Sequence, residues 1–257
     1  MSVFTEIQRP QLEAFLLAFD LGQLHSFRGI AEGTENSNFF VSLDSGEYVL
    51  TLVERGEQAD LPFTVLLLDR LHAAGMPVPF AIPDKRGQAL LQLAGKPALL
   101  QPRLSGKHVL QANPQHCAEV GRALARMHLA TRERLIEHAS DRGLAWMLTQ
   151  GAVLASQVTG PSLALLNDAL KDVEALQQAW ARLPQANLHA DLFRDNVLFD
   201  GTHLSGIIDF YNACSGPMLY DVAIALSDWC SAADGALDNR RVRAMLAAYA
   251  TLRPFTQ

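Results

Sequence analysis

The stretch His189-Ala190-Asp191-Leu192-Phe193-Arg194-Asp195-Asn196, continued by Val197-Leu198-Phe199 and closed by Ile207-Ile208-Asp209-Phe210, decides how the whole chain is read. Two short apolar runs, 197–199 and 204–208, flank the turn Asp200-Gly201, which is the pattern of a β-hairpin. The H-x-D-x4-N spacing sets a carboxylate and a carboxamide at opposite ends of one loop. The hairpin then returns a second carboxylate, Asp209, beside the carboxamide. Phosphoryl transfer to an alcohol asks for such a set, because its catalysis is mainly positioning and electrostatics. Asp191 would act on the hydroxyl proton, while Asn196 and Asp209 would offer the hard oxygen ligands that Mg2+ prefers. Each residue alone reads as a loop cap or a strand end. The ordered set, with apolar strands between its polar members, carries the chemistry.

Outward from this loop the two halves of the chain differ in periodicity. Before it come strand-like runs, Phe39-Phe40-Val41-Ser42-Leu43 and Tyr48-Val49-Leu50-Thr51-Leu52-Val53, joined by the turn-forming Asp44-Ser45-Gly46-Glu47. Helices are predicted over 11–20 and 61–74, the latter with Pro62 in its first turn and Gly75 past its end. A second hairpin is predicted over 88–93 and 97–102, through Ala94-Gly95-Lys96. After a crossover near 100–106 the pattern turns helical, over 114–130, 162–183, 219–231 and 239–252. The order implies an α+β protein: a sheet-rich lobe, then a helical lobe with one embedded hairpin, with a cleft between them as the natural ligand site.

Composition excludes several classes. With 27 acidic and 21 basic residues in 257, the formal charge is −6, which argues against nucleic acid as partner. Three scattered cysteines, Cys117, Cys214 and Cys230, form no C-x-x-C pair and read as reduced thiols rather than a disulfide framework or zinc site. Cys214 reads as a small buried residue. No basic stretch leading into an apolar core opens the chain, and no apolar run is long enough to span a bilayer, so a cytoplasmic protein is expected. Oligomeric state is not legible.

Taken together, several stretches resemble the aminoglycoside-phosphotransferase and choline-kinase superfamily, distant relatives of protein kinases, and more narrowly the type II homoserine kinases. They are Gly29 through Asn38, Tyr48 through Glu54, Leu61-Pro62-Phe63, the loop quoted above with Ile208 through Cys214, Tyr220-Asp221-Val222-Ala223-Ile224-Ala225-Leu226, and Asp228-Trp229-Cys230. The resemblance implies a bilobal protein-kinase-like fold, with an N-terminal antiparallel-sheet lobe over 1–103 and a helical catalytic lobe over 104–257. It implies ATP between the lobes, with adenine near Leu100-Gln101-Pro102-Arg103, so that Gln101 becomes a nucleotide-binding candidate. Gly33, Thr34, Asn36, Ser37 and Asn38 fall where the superfamily has its nucleotide loop; two glycines among polar residues also suit a plain hairpin loop. Mg2+ would be the metal and L-homoserine the substrate, giving O-phospho-L-homoserine on the way to threonine. Family members usually continue past Thr256-Gln257, which leaves open a truncated C-terminus or a shorter helical lobe.

Individual roles follow from the same resemblance. Asp221, beside Tyr220 at the start of an apolar helix, would brace the catalytic loop with His189; an acidic residue favoured by the helix dipole is the plainer alternative. Relatives place a Lys or Arg where this chain has Thr51, and type II homoserine kinases share the threonine. Which cation then meets the phosphates is open. Arg194 is a catalytic candidate for that task or for the substrate carboxylate, and a solvated loop arginine fits equally. Tyr211, Asp228 and Trp229 could line the acceptor side or merely pack. His25, His72, His116, His128 and His138 receive no catalytic role. Rival substrates are choline, an aminosugar or a methylthio-sugar, though Trp146, Trp180 and Trp229 are too scattered for a choline cage. A nucleotide-binding pseudokinase is the rival from another class; the intact Asp191, Asn196 and Asp209 speak against it.

Overall fold

A computed structural model describes residues 4–31, 36–54 and 60–255. It divides into two compact units, Met1–Val109 with Val197–Ile208, and Leu110–Asn196 with Asp209–Gln257. Each is considered on its own.

The first unit is built on an antiparallel sheet. Helix α1 (Arg9–Leu16) buries Leu12, Phe15 and Leu16, the i, i+3, i+4 spacing of one helical face. The strands are β1 (Leu24–Gly29), β2 (Ser37–Leu43) and β3 (Gly46–Leu52), followed by helix α2 (Leu61–Ala73), then β4 (Leu91–Leu93) and β5 (Lys96–Pro102). They lie in the order β1-β2-β3-β5-β4. Strict alternation along β2 sends Ser37, Phe39, Val41 and Leu43 inward, and the last three join Leu12, Phe15, Leu50, Leu52 and Leu100 in one core. Fully burying each such side chain is worth about 1.5–3 kcal/mol. Ala94 and Gly95, both at positive φ (52° and 73°), turn β4 into β5, as a two-residue hairpin loop requires.

The second unit carries helices α3 (Pro114–Thr131), α4 (Leu144–Ala155) and α5 (Gly160–Trp180), then strand β6 (Gln185–Leu188). The hairpin β7 (Val197–Asp200) and β8 (His203–Ile207) follows in the chain, before β9 (Cys214–Pro217), α6 (Met218–Trp229) and α7 (Asn239–Leu252). Asn113 caps α3 by accepting from the His116 N–H, and Asp238 caps α7 by accepting from the N–H groups of Arg240 and Arg241. Strand β6 pairs antiparallel with β9. Helices α3 and α7 approach closely: a Cβ on Gly121 would collide with the Met245 carbonyl. No helix among the described residues is long and apolar enough to cross a membrane.

The β7–β8 hairpin, read from the sequence as an insertion in the helical half, is stitched to the first unit. Lys107 and Phe199 exchange both backbone hydrogen bonds at 2.9 Å, the Ser205 hydroxyl donates to the Ser105 carbonyl, and the Ile207 N–H donates to the Pro77 carbonyl. A side chain at Gly106 would strike the Phe199 carbonyl, so glycine is needed there. Asn196 and Asp209, at the two ends of this hairpin, belong to the second unit.

Candidate active site

One face of α6 organises the catalytic loop. Asp221, Asp228 and Trp229 stand at i, i+7 and i+8, which a helix brings onto a single side. The fully buried Asp221 carboxylate accepts the backbone N–H of His189 at 3.0 Å and of Ala190 at 2.9 Å. Asp228 accepts the backbone N–H of Arg194 at 2.8 Å. The buried Trp229 indole donates to the Leu192 carbonyl at 2.9 Å. Four positions of the loop, 189, 190, 192 and 194, are therefore held from one helix. The bracing expected of Asp221 runs through main-chain N–H groups, while the His189 ring packs against Phe210 with centroids 4.5 Å apart.

Held this way, the loop presents Asp191 half-buried. The Asn212 amide donates to its Oδ2 at 3.1 Å, and the Asn196 amide donates to its backbone carbonyl at 2.8 Å. Burial pushes the Asp191 carboxyl above its ordinary value, against the opposing pull of His189, Asn212 and Arg142. A carboxylate so raised is a better proton acceptor. Asn196 is buried, and its amide nitrogen is taken up by the Asp191 carbonyl. Asp209 is exposed and sits at φ 64°, a left-handed conformation that costs energy for a residue with a Cβ. Such strain is commonly stored at functional positions. A carboxamide oxygen and a carboxylate oxygen at the two ends of one short hairpin fit Mg2+, which takes few protein ligands and fills its shell with water and phosphate oxygens.

The remaining predicted residues fall in several places. Arg194 is spent on Asp228: its Nε and Nη2 donate to that carboxylate at 2.9–3.2 Å, and its Nη1 donates to the Leu110 carbonyl at 3.0 Å. Asp228 and Trp229 thus contact the loop from α6, and of the three acceptor-side candidates Tyr211 is the exposed one, at 37%. The nucleotide-loop candidates lie in the first unit. Ser37 is fully buried, accepting from the N–H groups of Phe4 and Thr5 and donating to Glu54. Asn36 accepts the Glu54 N–H, and Asn38 accepts the Thr51 hydroxyl at 2.7 Å. These side chains are committed to the unit's interior, so what they can present to a phosphate is backbone. Gln101 donates to the Pro79 carbonyl. Gly33 and Thr34 lie outside the described residues.

The profile of the "Phosphotransferase enzyme family" matches residues 26–255. The chain belongs to that family. A homoserine kinase of Pseudomonas aeruginosa strain UCBPP-PA14 is 64% identical over 256 residues, an alignment covering 100% of this chain and 81% of that protein. A homoserine kinase of Methylobacillus flagellatus is 43% identical over 256 residues, covering 100% of this chain and 80% of its own length. Among solved structures, an amicoumacin kinase in complex with AMP-PNP and Ca2+ superposes with a TM-score of 0.69 over 96% of this chain and 78% of that one, at 17% identity. That last likeness is one of fold, and it agrees with the kinase-like α+β organisation expected from the sequence.

Three groups of this phosphotransferase escaped the sequence reading. Asn212, which orients Asp191, sits in a 3-10 turn that no periodicity marks. His128, with no motif around it in the sequence, is fully buried and bonded to Asp221 at 3.1 Å. Its place four residues after Leu124, on the apolar face of α3, was the available signal. Tyr249 follows the same rule on α7.

Proposed function

We infer that this phosphotransferase is a homoserine kinase, transferring the γ-phosphate of ATP to the side-chain hydroxyl of L-homoserine to give O-phospho-L-homoserine, a step toward threonine. The observation that carries the reading is the 64% identity to a homoserine kinase along the whole chain, with Asp191, Asn196 and Asp209 all in place. Asp191 is the base. Its Oδ2 is held by Asn212, which leaves Oδ1 for the acceptor hydroxyl. Asn196 and Asp209 would hold Mg2+, which when bound would neutralise charge on the phosphate oxygens. The first unit takes the nucleotide and the second supplies the acceptor chemistry.

Arg194, clamped by Asp228, orders the loop instead of meeting the ligand. Arg142 is exposed and close enough to pull the Asp191 carboxyl down, and among the described residues no carboxylate engages its guanidinium. It is the cation that suits the carboxylate of an amino-acid acceptor. Its segment is fixed to both strands of the small sheet, since Ile136 bonds to the Asn187 amide and His138 to Ser215. We place the enzyme in the cytoplasm, where ATP is supplied and where the buried Cys117, Cys214 and Cys230 stay as thiols.

A coupled ADP-release assay across L-homoserine, 3-aminopropan-1-ol, choline and an aminosugar tests the reading. Homoserine should be preferred, because the analogue without a carboxylate forgoes the ion pair with Arg142. Turnover of choline or the aminosugar with none on homoserine overturns it.

A further inference from the structure

Behind the catalytic loop a chain of polar side chains crosses the interior of the second unit. His128, fully buried on α3, places Nε2 3.1 Å from Asp221 Oδ2 and Nδ1 2.9 Å from the Tyr249 hydroxyl on α7. Helical spacing produces this meeting. Gly121 lies two turns before His128, and Met245 lies one turn before Tyr249, so the close approach at Gly121 and the hydrogen bond at His128 share one seam. Burying an imidazole, a carboxylate and a phenol costs free energy unless each is hydrogen-bonded. Leucine at 128 and phenylalanine at 249 would fill an apolar core without that cost.

The hydrogen bonds constrain the protons. Desolvation raises Asp221, but the hydrogen bonds from His128 and from the His189 N–H oppose it, and the carboxyl is held below its ordinary value. An ionised carboxylate only accepts, so His128 carries a proton on Nε2. Burial pushes the Tyr249 hydroxyl up to about 12, so it keeps its proton and can donate to Nδ1. Each group then donates toward Asp221, whose two oxygens also accept the His189 and Ala190 N–H groups.

We propose that His128, held by Tyr249 with its Nε2–H toward Asp221, is a positioning residue for phosphoryl transfer: it aims the Asp221 carboxylate that holds the His189-Ala190 main chain and so sets Asp191. The role rests on Asp191 being the base. Ala190 is held at φ 60°, a conformation alanine disfavours, so the loop needs a correctly aimed acceptor to stay there. A misplacement of about 1 Å at a reacting group costs on the order of a hundredfold in rate.

The test compares His128→Leu, His128→Gln and Tyr249→Phe in the full chain. His128→Leu should lower kcat about 10- to 100-fold and Tyr249→Phe about three- to tenfold, with both KM values within about twofold of the parent. His128→Gln, which keeps a donor, should recover part of the loss. A packing role alone would lower Tm and leave the kcat of the folded enzyme unchanged. Ring 15N shifts of His128 should report Nε2–H in the parent and a mixed or altered state in Tyr249→Phe, a readout that survives if His128→Leu fails to fold. A parent ring protonated on Nδ1 alone overturns the proposal. So does parent-like kcat in Tyr249→Phe and His128→Gln while Asp191→Asn is inactive, a result that leaves the base assignment standing. An active Asp191→Asn instead removes the base assignment, and this role with it.

Discussion

Arg194 and Asp228 are joined twice over: the carboxylate accepts the arginine's own backbone N–H at 2.8 Å and also its guanidinium, at 2.9 Å from Nη2. One side chain on α6 therefore fixes both the direction of the loop and the side chain that the loop projects. Hydrogen bonds to charged groups are worth about 1.5–3 kcal/mol, and less where water screens them, as at this partly exposed pair. Asp228→Asn should lower kcat by about tenfold while leaving the KM for ATP near that of the parent. Arg194→Lys should fall short of full activity, because an ammonium cannot reproduce the two-pronged contact. Steady-state kinetics on both variants decide it; a lysine variant with parent kcat would show that the pair is surface decoration.

Asp191→Asn should retain Mg-ATP binding and lose about two to four orders of magnitude in turnover. The asparagine keeps the shape and can still meet the Asn212 amide through its oxygen, so the loop stays put. Calorimetric titration of Mg-ATP beside the ADP-release assay separates binding from chemistry. Near-normal turnover of the purified variant takes Asp191 out of the mechanism.

Asp209 allows a cleaner metal test than most carboxylates. At φ 64° an asparagine is tolerated nearly as well as an aspartate, whereas alanine adds strain. Asp209→Asn therefore removes charge with little backbone penalty. It should weaken Mg2+-dependent nucleotide binding more than Asn196→Ala does, since a charged oxygen holds Mg2+ more strongly than a neutral one. Titrating Mg2+ at fixed ATP gives the order, and parent-like binding by Asp209→Asn contradicts the assignment.

What could be read from the sequence was whatever has a period or a fixed spacing. Strands β2 and β3 declare themselves by alternation, α3 and α7 by their apolar stripes, and the loop by H-x-D-x4-N followed by an apolar hairpin. Strand β1 was missed because its residues are exposed or half-buried, with no apolar face to detect. Helix α4 was missed because Leu144–Ala155 is apolar nearly all round and so has little amphipathic contrast. Strands β6 and β9 are four residues each, at the lower limit for reading a strand, and no turn residues join them as Asp200-Gly201 joins β7 to β8. At the site, spacing singles out Asp191, Asn196 and Asp209, whereas residues that act through tertiary contact leave no such mark. Asn212 acts on Asp191 from 21 positions away and His128 acts on Asp221 from 93 positions away. Arg194 shows the converse: spacing placed it in the loop, and only the folded chain shows its charge spent on Asp228.

Gly121→Ala should destabilise the second unit despite alanine's better helix propensity. The new Cβ would press on the Met245 carbonyl, which is backbone and cannot swing aside. Overpacking of this sort costs about 1–3 kcal/mol, against a gain of about 1 kcal/mol from propensity. Urea denaturation should give a lower midpoint with an unchanged slope. A higher midpoint would mean that α7 moves away freely, which the His128–Tyr249 bond argues against.

The pH dependence of activity and of stability should run in opposite directions at Asp191. Its folded carboxyl is raised above the ordinary value of 3.8 mainly by burial, so the native state binds this proton more tightly than the unfolded chain does. Stability contributed by this group is fully present below the unfolded value and is lost as pH rises through the folded one. At neutral pH the ionised carboxylate is a net burden on the fold. Activity needs that same ionised form, so kcat/KM should rise with pH along an acid limb whose midpoint lies above that of an ordinary aspartate. Asp191→Asn should therefore raise Tm at neutral pH, and the difference should close as pH falls below the unfolded value. Asp221 has the opposite sign: its lowered carboxyl stabilises above the unfolded value and loses that contribution as pH falls through the folded one, so Asp221→Asn should lower Tm at neutral pH. Thermal melts of both variants across the acid range, beside the kcat/KM profile, supply all three readings. An Asp191→Asn protein less stable than its parent at neutral pH would show that the carboxylate is held by more than Asn212, and that burial is not what sets its proton affinity.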